Sequence, residues 1–251
     1  MVGEWFGATR HACLGRARSD ADPTLLFSFL LLQVVFAAFL AMSVSLGAVI
    51  SFTVFQEYYT RVTLSNRSAD AVAWIGGVQL ACTFGMTLFA GSLNNKYGPR
   101  VTFAIGTFFI VLGNMAASAA SEYYQFLLAQ GLCAGIGYGL ILLPALATPP
   151  EWFLKKRGLA TALATGGSSV GGVIFPVMVN RLLNYDGVSL GWTLRAIAFV
   201  QLGGLVVATA LIEDRFPKGG GALPIKEYFS MRATNFFMAG AMLLYLGQVR
   251  S

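Results

Sequence analysis

The chain has 251 residues, of which 56% are apolar and only 11% are charged, and its mean hydropathy is +0.68. A soluble globular protein carries about twice that share of charged residues, so the composition excludes an ordinary soluble domain and indicates an integral membrane protein. The net charge of +6 does not indicate nucleic-acid binding, because the basic residues form short clusters between apolar runs of about the length of a membrane span.

The apolar runs predict an all-α integral membrane protein with six spanning helices. A flexible cytoplasmic tail is expected at residues 1–23, before a bundle over 24–212 with spans at about 29–54, 72–93, 101–119, 124–147, 159–183 and 191–212. A polar cytoplasmic loop is expected at 213–234. The apolar run within 235–251 is too short to cross a bilayer, and we expect it to be the start of a truncated seventh helix.

The basic clusters predict which loops face the cytoplasm. They lie in the tail, around Lys96 and Arg100, at Lys155 to Arg157, and after residue 212, whereas the other loops carry only scattered arginines. Cytoplasmic loops of membrane proteins are enriched in Lys and Arg, so the N-terminus is expected inside. Between the fourth and fifth spans, Pro149 and Pro150 are expected to end the fourth helix.

Glycines recur at four-residue spacing in the fourth and fifth spans, at Gly131, Gly135 and Gly139 and again at Gly167 and Gly171. On a helix, each set lies along one face, where a neighbouring backbone can approach closely. We therefore predict that these glycines pack helices together.

The segment from Gly91 to Arg100 resembles the loop between the second and third helices of the major facilitator superfamily. Five positions match the family pattern: Gly91, Leu93, Lys96, Gly98 and Arg100. The resemblance implies a cytoplasmic gating loop that latches onto the opposite half of a transporter. Asn95 stands where the family usually has Asp, and Pro99 replaces a basic residue, so the charge pattern of the latch differs from that of the family.

Several further segments are similar to the fungal monocarboxylate-transporter-like branch of that superfamily. They are Phe55-Gln56-Glu57-Tyr58-Tyr59, Ala73-Trp74-Ile75-Gly76, Tyr124-Gln125-Phe126, Trp152-Phe153 and the run from Gly167 to Gly172 leading to Pro176, which joins the packing set. The resemblance implies the six-helix N-terminal half of the major facilitator fold, whose two halves are related by an axis along the membrane normal. It also favours the plasma membrane over the vacuole.

The resemblance places a substrate path between the first, second, fourth and fifth spans. The polar side chains on those spans are the candidates: Gln79, Gln130, Tyr138, Ser168 and Ser169. For each glutamine the alternative is a hydrogen bond between helices, and for the serines it is close helix packing. Asn114 and Gln201 fall on the third and sixth spans, where packing is preferred.

The first span contains no Lys or Arg, so a lysine associated with proton-coupled monocarboxylate carriers is absent, and proton-coupled lactate-type transport is not supported. Cys13, Cys82 and Cys133 show no metal-binding spacing, and no metal or cofactor is expected. The spans contain almost no acidic residues and the one histidine is His11, which argues against a membrane-embedded enzyme.

We therefore predict a secondary-active transporter of a small organic solute that works by alternating access and is present here in a truncated or incomplete form. Its partners are the lipid bilayer, the solute and either a second half or another copy of the chain. The alternative is a six-helix membrane protein that does not transport and pairs with itself or with a full-length carrier.

Overall fold

The structure is a computed structural model that describes residues 23–63, 68–153, 157–185 and 187–212, with side chains described from Leu32 onwards. The tail before Pro23, the loop at 213–234, the seventh apolar run at 235–251, and Lys155 and Lys156 lie outside the described residues. The described residues form helices and no strand, and six of these helices are long and apolar enough to cross a membrane. The prediction of an all-α membrane bundle is confirmed.

We number the six helices α1 to α6. α1 begins at Pro23 and continues from Tyr58 into the π-helical segment Tyr59–Thr63. The others are α2 Ala69–Tyr97, α3 Pro99–Ser118, α4 Tyr123–Trp152, α5 Arg157–Tyr185 and α6 Leu190–Leu211.

Several helices are longer than the predicted spans. α1 continues past residue 54 to Thr63, and α2 continues past residue 93 to Tyr97. Hydropathy locates the part of a helix that matches the hydrocarbon layer, whereas the hydrogen-bonded helix can continue beyond it. Residues near Tyr59, which the sequence places in a loop, are therefore helical.

Specific residues set the helix ends. The Ser68 side chain accepts a hydrogen bond from the Ala71 N–H (3.3 Å) and caps the start of α2. Gly98, whose φ of 85° is strained for any other residue, ends α2, and Pro99 follows as the first residue of α3. The turn between α2 and α3 is thus a single residue.

The prediction that Pro149 and Pro150 end the fourth helix is wrong. α4 contains both prolines and ends at Trp152. Proline removes a backbone N–H, but its fixed φ is itself a helical value. The chain therefore stays helical for two more residues.

The helices pack in pairs. α1 packs most extensively on α5, α2 packs on α4, and α3 packs on both α6 and α4. α1, α3 and α5 end at one side of the bundle, which we call the Tyr59 end, and α2, α4 and α6 end at the other, which we call the Arg100 end. The α1/α5 and α2/α4 pairs are therefore parallel, whereas α3/α6 is antiparallel. α1 and α4 are the most buried helices, and α2 and α5 are the most exposed.

Candidate functional site

The parallel α2/α4 pair meets along a line of glycines. A Cβ atom built on Gly135 would lie 2.9 Å from the Gln79 carbonyl oxygen, and one built on Gly139 would overlap the Thr83 carbonyl oxygen. One turn toward the Tyr59 end, a Cβ atom built on Gly131 would lie 3.3 Å from the Ile75 carbonyl oxygen. The three glycines thus bring the two backbones close together, with Gln79 on the contact line.

The backbones of the parallel α1/α5 pair approach each other even more closely. A Cβ atom on Gly167 would overlap the Phe39 carbonyl oxygen, and one on Gly171 would overlap the Ser43 carbonyl oxygen. The Ser43 hydroxyl donates across the contact to the Gly167 carbonyl at 2.7 Å. A third glycine, Gly47 of α1, lies against Gly171.

Gln130 lies in the π-helical segment Leu127–Ala134 of α4, and the residue is only 4% exposed. Its Oε1 atom accepts a hydrogen bond from the Tyr59 hydroxyl at 2.9 Å. The Tyr59 ring is completely buried and packs on Phe126, with ring centroids 4.8 Å apart, and on Phe55, 6.0 Å away. A polar contact inside an aromatic cluster thus joins α1 to α4.

Gln79 is buried nearly as deeply as Gln130, with 5% of the residue exposed. Its amide makes no hydrogen bond to any residue that the structure describes. An amide in a membrane interior is costly unless it finds a partner, so a buried unpartnered glutamine is a candidate ligand for a polar solute.

The structure places Tyr138 in a different environment from Gln79 and Gln130. Its hydroxyl accepts a hydrogen bond from Gln201 Nε2 at 3.0 Å, and Gln201 Oε1 accepts one from Asn114 Nδ2 at 2.7 Å. All three residues are buried. They connect α4 to α3 and α6, and among the described residues this network makes no hydrogen bond to Gln79 or Gln130.

Ser168, Ser169 and Pro176 lie on α5. The Ser168 hydroxyl is partly buried and donates to the Thr165 carbonyl of its own helix at 2.7 Å. Ser169 is exposed, and Pro176 lies within α5. The Ser168 hydroxyl thus bonds within its own helix and to neither glutamine.

The predicted gating loop lies at the Arg100 end. Gly91 and Gly98 are buried, Leu93 and Asn95 are half-buried, and Lys96 is exposed, with its ammonium 5.1 Å from the Tyr97 ring centroid. Asn94, next to the matched positions, is buried, and its Oδ1 atom has no hydrogen-bond partner among the described residues.

Arg100 binds within its own six-helix unit. Its Nε donates to the Ile212 carbonyl at 2.7 Å, and Gln33 Nε2 of α1 donates to the Leu211 carbonyl at 3.0 Å. The free carbonyls at a helix C-terminus carry partial negative charge, so the cation and the amide both stabilise the end of α6.

Tyr59 was named only within a segment that resembles the family, and neither it nor Ser43 nor Gln33 was predicted as a site residue. The spacing of Phe55, Tyr59 and Thr63 every four residues is a helical pattern that could have extended α1 and identified Tyr59. Among the described residues, no group of three or more His, Cys, Asp or Glu could hold a metal ion. The neutral amide of Gln130 can bind a solute by hydrogen bonds, but it does not act as a proton relay.

Comparison with known proteins places the chain in a family. The family model described as Major Facilitator Superfamily matches residues 23–249. The Fujikurins efflux protein of Gibberella fujikuroi is 40% identical over 218 residues, which cover 86% of this chain and 46% of that protein. The Agnestins efflux protein AgnL12 of Paecilomyces divaricatus is 35% identical over 233 residues, which cover 92% of this chain and 53% of that protein.

A third relative, the Aspyridones efflux protein apdF of Emericella nidulans, is 40% identical over 171 residues, covering 68% of this chain and 35% of that protein. The chain spans about half the length of the first two relatives. Six apolar helices and a family of membrane transporters identify an integral multi-pass membrane protein and not an enzyme. With the matched loop motif, the helical bundle and these relatives in agreement, the chain belongs to the Major Facilitator Superfamily.

Proposed function

We propose that the chain forms the first half of a secondary-active carrier that exports a small organic solute by alternating access. The observation that carries this proposal is the pair of buried glutamines, Gln79 on α2 and Gln130 on α4, each with amide atoms that bind no described residue. Relatives named as efflux proteins support export as the direction. Membership of the monocarboxylate-transporter-like branch remains a prediction.

The second half is part of the proposal. α2 and α5 are the most exposed of the six helices, and Gly77, Gly85 and Gly166 lie in open space on them. Small residues on a membrane helix allow a second helix to approach closely. A second six-helix unit, related by an axis along the membrane normal, would cover both helices and enclose a path beside Gln79 and Gln130.

Binding of a candidate solute tests the site. The purified chain is mixed with fujikurins or agnestins in detergent, and the dissociation constant is obtained from the ligand-dependent rise in the unfolding temperature. We expect Gln79→Leu and Gln130→Leu to weaken binding by about tenfold each, the equivalent of one lost hydrogen bond in a dry site. Thr107→Val is the matched control, because the buried Thr107 hydroxyl bonds only within α3.

Equal binding by the wild type and both glutamine variants would contradict the proposed site. A folded chain that binds neither compound, alone or together with a second half, would favour the alternative, a six-helix protein that pairs with itself or with a full-length carrier.

The size of the natural product distinguishes two forms of the carrier. An antibody against residues 1–23 would detect either a species near 26.8 kDa or one of about twice that mass in native membranes. The smaller species would require a second copy or a separate partner for the second half. The larger would carry both halves on one chain.

A further inference from the structure

The Tyr59 hydroxyl determines how the Gln130 amide is oriented. Tyr59 is fully buried, and Gln130 Oε1 is the acceptor of its proton, at 2.9 Å. If the amide were turned over, its Nε2 would face the hydroxyl, and the Tyr59 proton would have no acceptor among the described residues. A buried donor without an acceptor is costly, so the orientation with Oε1 toward Tyr59 is strongly preferred.

This orientation leaves Gln130 Nε2 as a free donor. Nε2 makes no hydrogen bond to any residue that the structure describes, yet it is not completely enclosed. Within the described ranges, the one fully enclosed side-chain nitrogen or oxygen without a partner is Asn94 Oδ1. Nε2 therefore retains a small exposed surface, where its N–H groups are free to donate.

Both partners of this hydrogen bond lie in π-helical segments. Tyr59 begins the segment Tyr59–Thr63 of α1, and Gln130 lies within Leu127–Ala134 of α4. π-helical turns are rare and occur often at functional sites, because they change the direction in which a side chain points and weaken the regular hydrogen-bond ladder. The π-helical segments of α1 and α4 thus coincide with the hydrogen-bonded pair Tyr59 and Gln130.

We propose that Tyr59 is a positioning residue that holds the Gln130 amide so that Nε2 donates to an acceptor oxygen of the transported solute. This inference rests on the proposed function and specifies its chemistry. The amide offers only N–H groups toward the solute, so the site selects a molecule with a carbonyl or carboxylate oxygen at the bound position. A solute hydroxyl at that position would have to accept the N–H of Gln130.

The first test needs no solute. Side-chain amide hydrogen exchange is measured by NMR on the full chain in lipid nanodiscs, with 15N-labelled glutamine and single Gln→Leu variants for assignment. Gln201 is the internal control, since it is also buried and its Nε2 is bonded to Tyr138. We expect the Gln130 Nε2 protons to exchange at least about fivefold faster than those of Gln201. This factor is the protection that one net hydrogen bond provides. Equal protection of the two amides would overturn the inference.

The second test separates a positioning role from a structural one. Tyr59→Phe keeps the ring against Phe55 and Phe126 and removes only the hydroxyl. We expect Tyr59→Phe and Gln130→Leu each to raise the Kd for fujikurins or agnestins about tenfold, and the double variant to raise it no further, because both changes remove the same oriented donor. Thr107→Val should leave Kd unchanged.

A Tyr59→Phe chain with a lower unfolding temperature and an unchanged Kd would overturn the inference, since that result describes packing alone. Additive effects of the two substitutions on Kd would also overturn it. If the wild type binds neither compound, the proposed function fails for these solutes, while the exchange test still decides whether Tyr59 leaves Gln130 Nε2 open.

Discussion

Gly166 and Gly167 are neighbours on α5 that face different surroundings. A Cβ atom on Gly167 would overlap the Phe39 backbone of α1, whereas one on Gly166 would meet nothing within 4 Å. We expect Gly167→Ala to lower the free energy of unfolding by about 1–3 kcal/mol, because α1 and α5 must move apart to admit the methyl group. Denaturant titration of the reconstituted protein measures this change.

Gly166→Ala is the matched control, and it should be neutral or slightly stabilising, because alanine is the better helix former. Equal destabilisation by both substitutions would show that the α1/α5 contact is not the cause.

The Asn114–Gln201–Tyr138 network allows a second prediction about single residues. Replacing either amide by leucine removes the hydrogen bond between Asn114 and Gln201 and leaves one buried polar atom without that partner. Each single variant should therefore lose about 1 kcal/mol of stability. The double variant Asn114→Leu/Gln201→Leu removes both partners of the 2.7 Å bond and should lose less than the sum. A double-mutant cycle from unfolding titrations measures the difference, and simple additivity would refute the coupling.

At the scale of the helices, the end of α6 depends on a side chain from α3. Arg100 Nε binds the Ile212 carbonyl, where the dipole of α6 is negative. We expect Arg100→Ala to weaken the last turn of α6 by about 1–2 kcal/mol and to speed hydrogen exchange of its last amides. Arg100→Lys should have an intermediate effect, because lysine keeps the charge but lacks the planar guanidinium.

Lys96→Ala is the control for charge at this end of the bundle. Lys96 is exposed and contacts the Tyr97 ring, so its removal should leave exchange in α6 unchanged. Faster exchange in both variants would indicate a general effect of charge instead of the specific bond to Ile212.

The sequence predicted which segments are helices better than it predicted how they pair. Apolar runs of sufficient length identified the six spans that the described residues contain, and the all-α class and the family are confirmed. Four-residue glycine spacing indicates that another helix approaches closely, but it does not indicate which helix. The contacts of Gly135 with Gln79 and of Gly167 with Phe39 could therefore not be predicted from the sequence. The π-helical segments have no pattern of their own, because their side chains are those of an ordinary apolar helix.

The candidate site could be predicted only in part, because the sequence shows which residues are polar but not which residues they contact. Gln79 and Gln130 are conspicuous because they are amides in apolar runs. The Tyr59 contact depends on α1 continuing beyond the hydropathy maximum, and the partners of Tyr138 depend on how α3 and α6 lie against α4. These are consequences of tertiary packing, and a single sequence does not specify them.

At the scale of the whole molecule, the basic clusters predict the orientation in the membrane. With Cys13, Cys82 and Cys133 replaced by alanine, we expect Lys96→Cys to react with a membrane-impermeant maleimide only after permeabilisation, and Tyr185→Cys to react in intact cells. Both positions are exposed and lie at opposite ends of the bundle. The reverse labelling pattern would place the Arg100 end outside.

The one-residue turn at Gly98 has a mechanical consequence. α2 and α3 are joined by one residue, and Arg100, two residues later, binds the carbonyl of Ile212, the last residue that the structure describes at the end of α6. We therefore expect a rotation of α2 about its axis to displace the start of α3 and, through the guanidinium, the end of α6. The three helices would then move together at the Arg100 end.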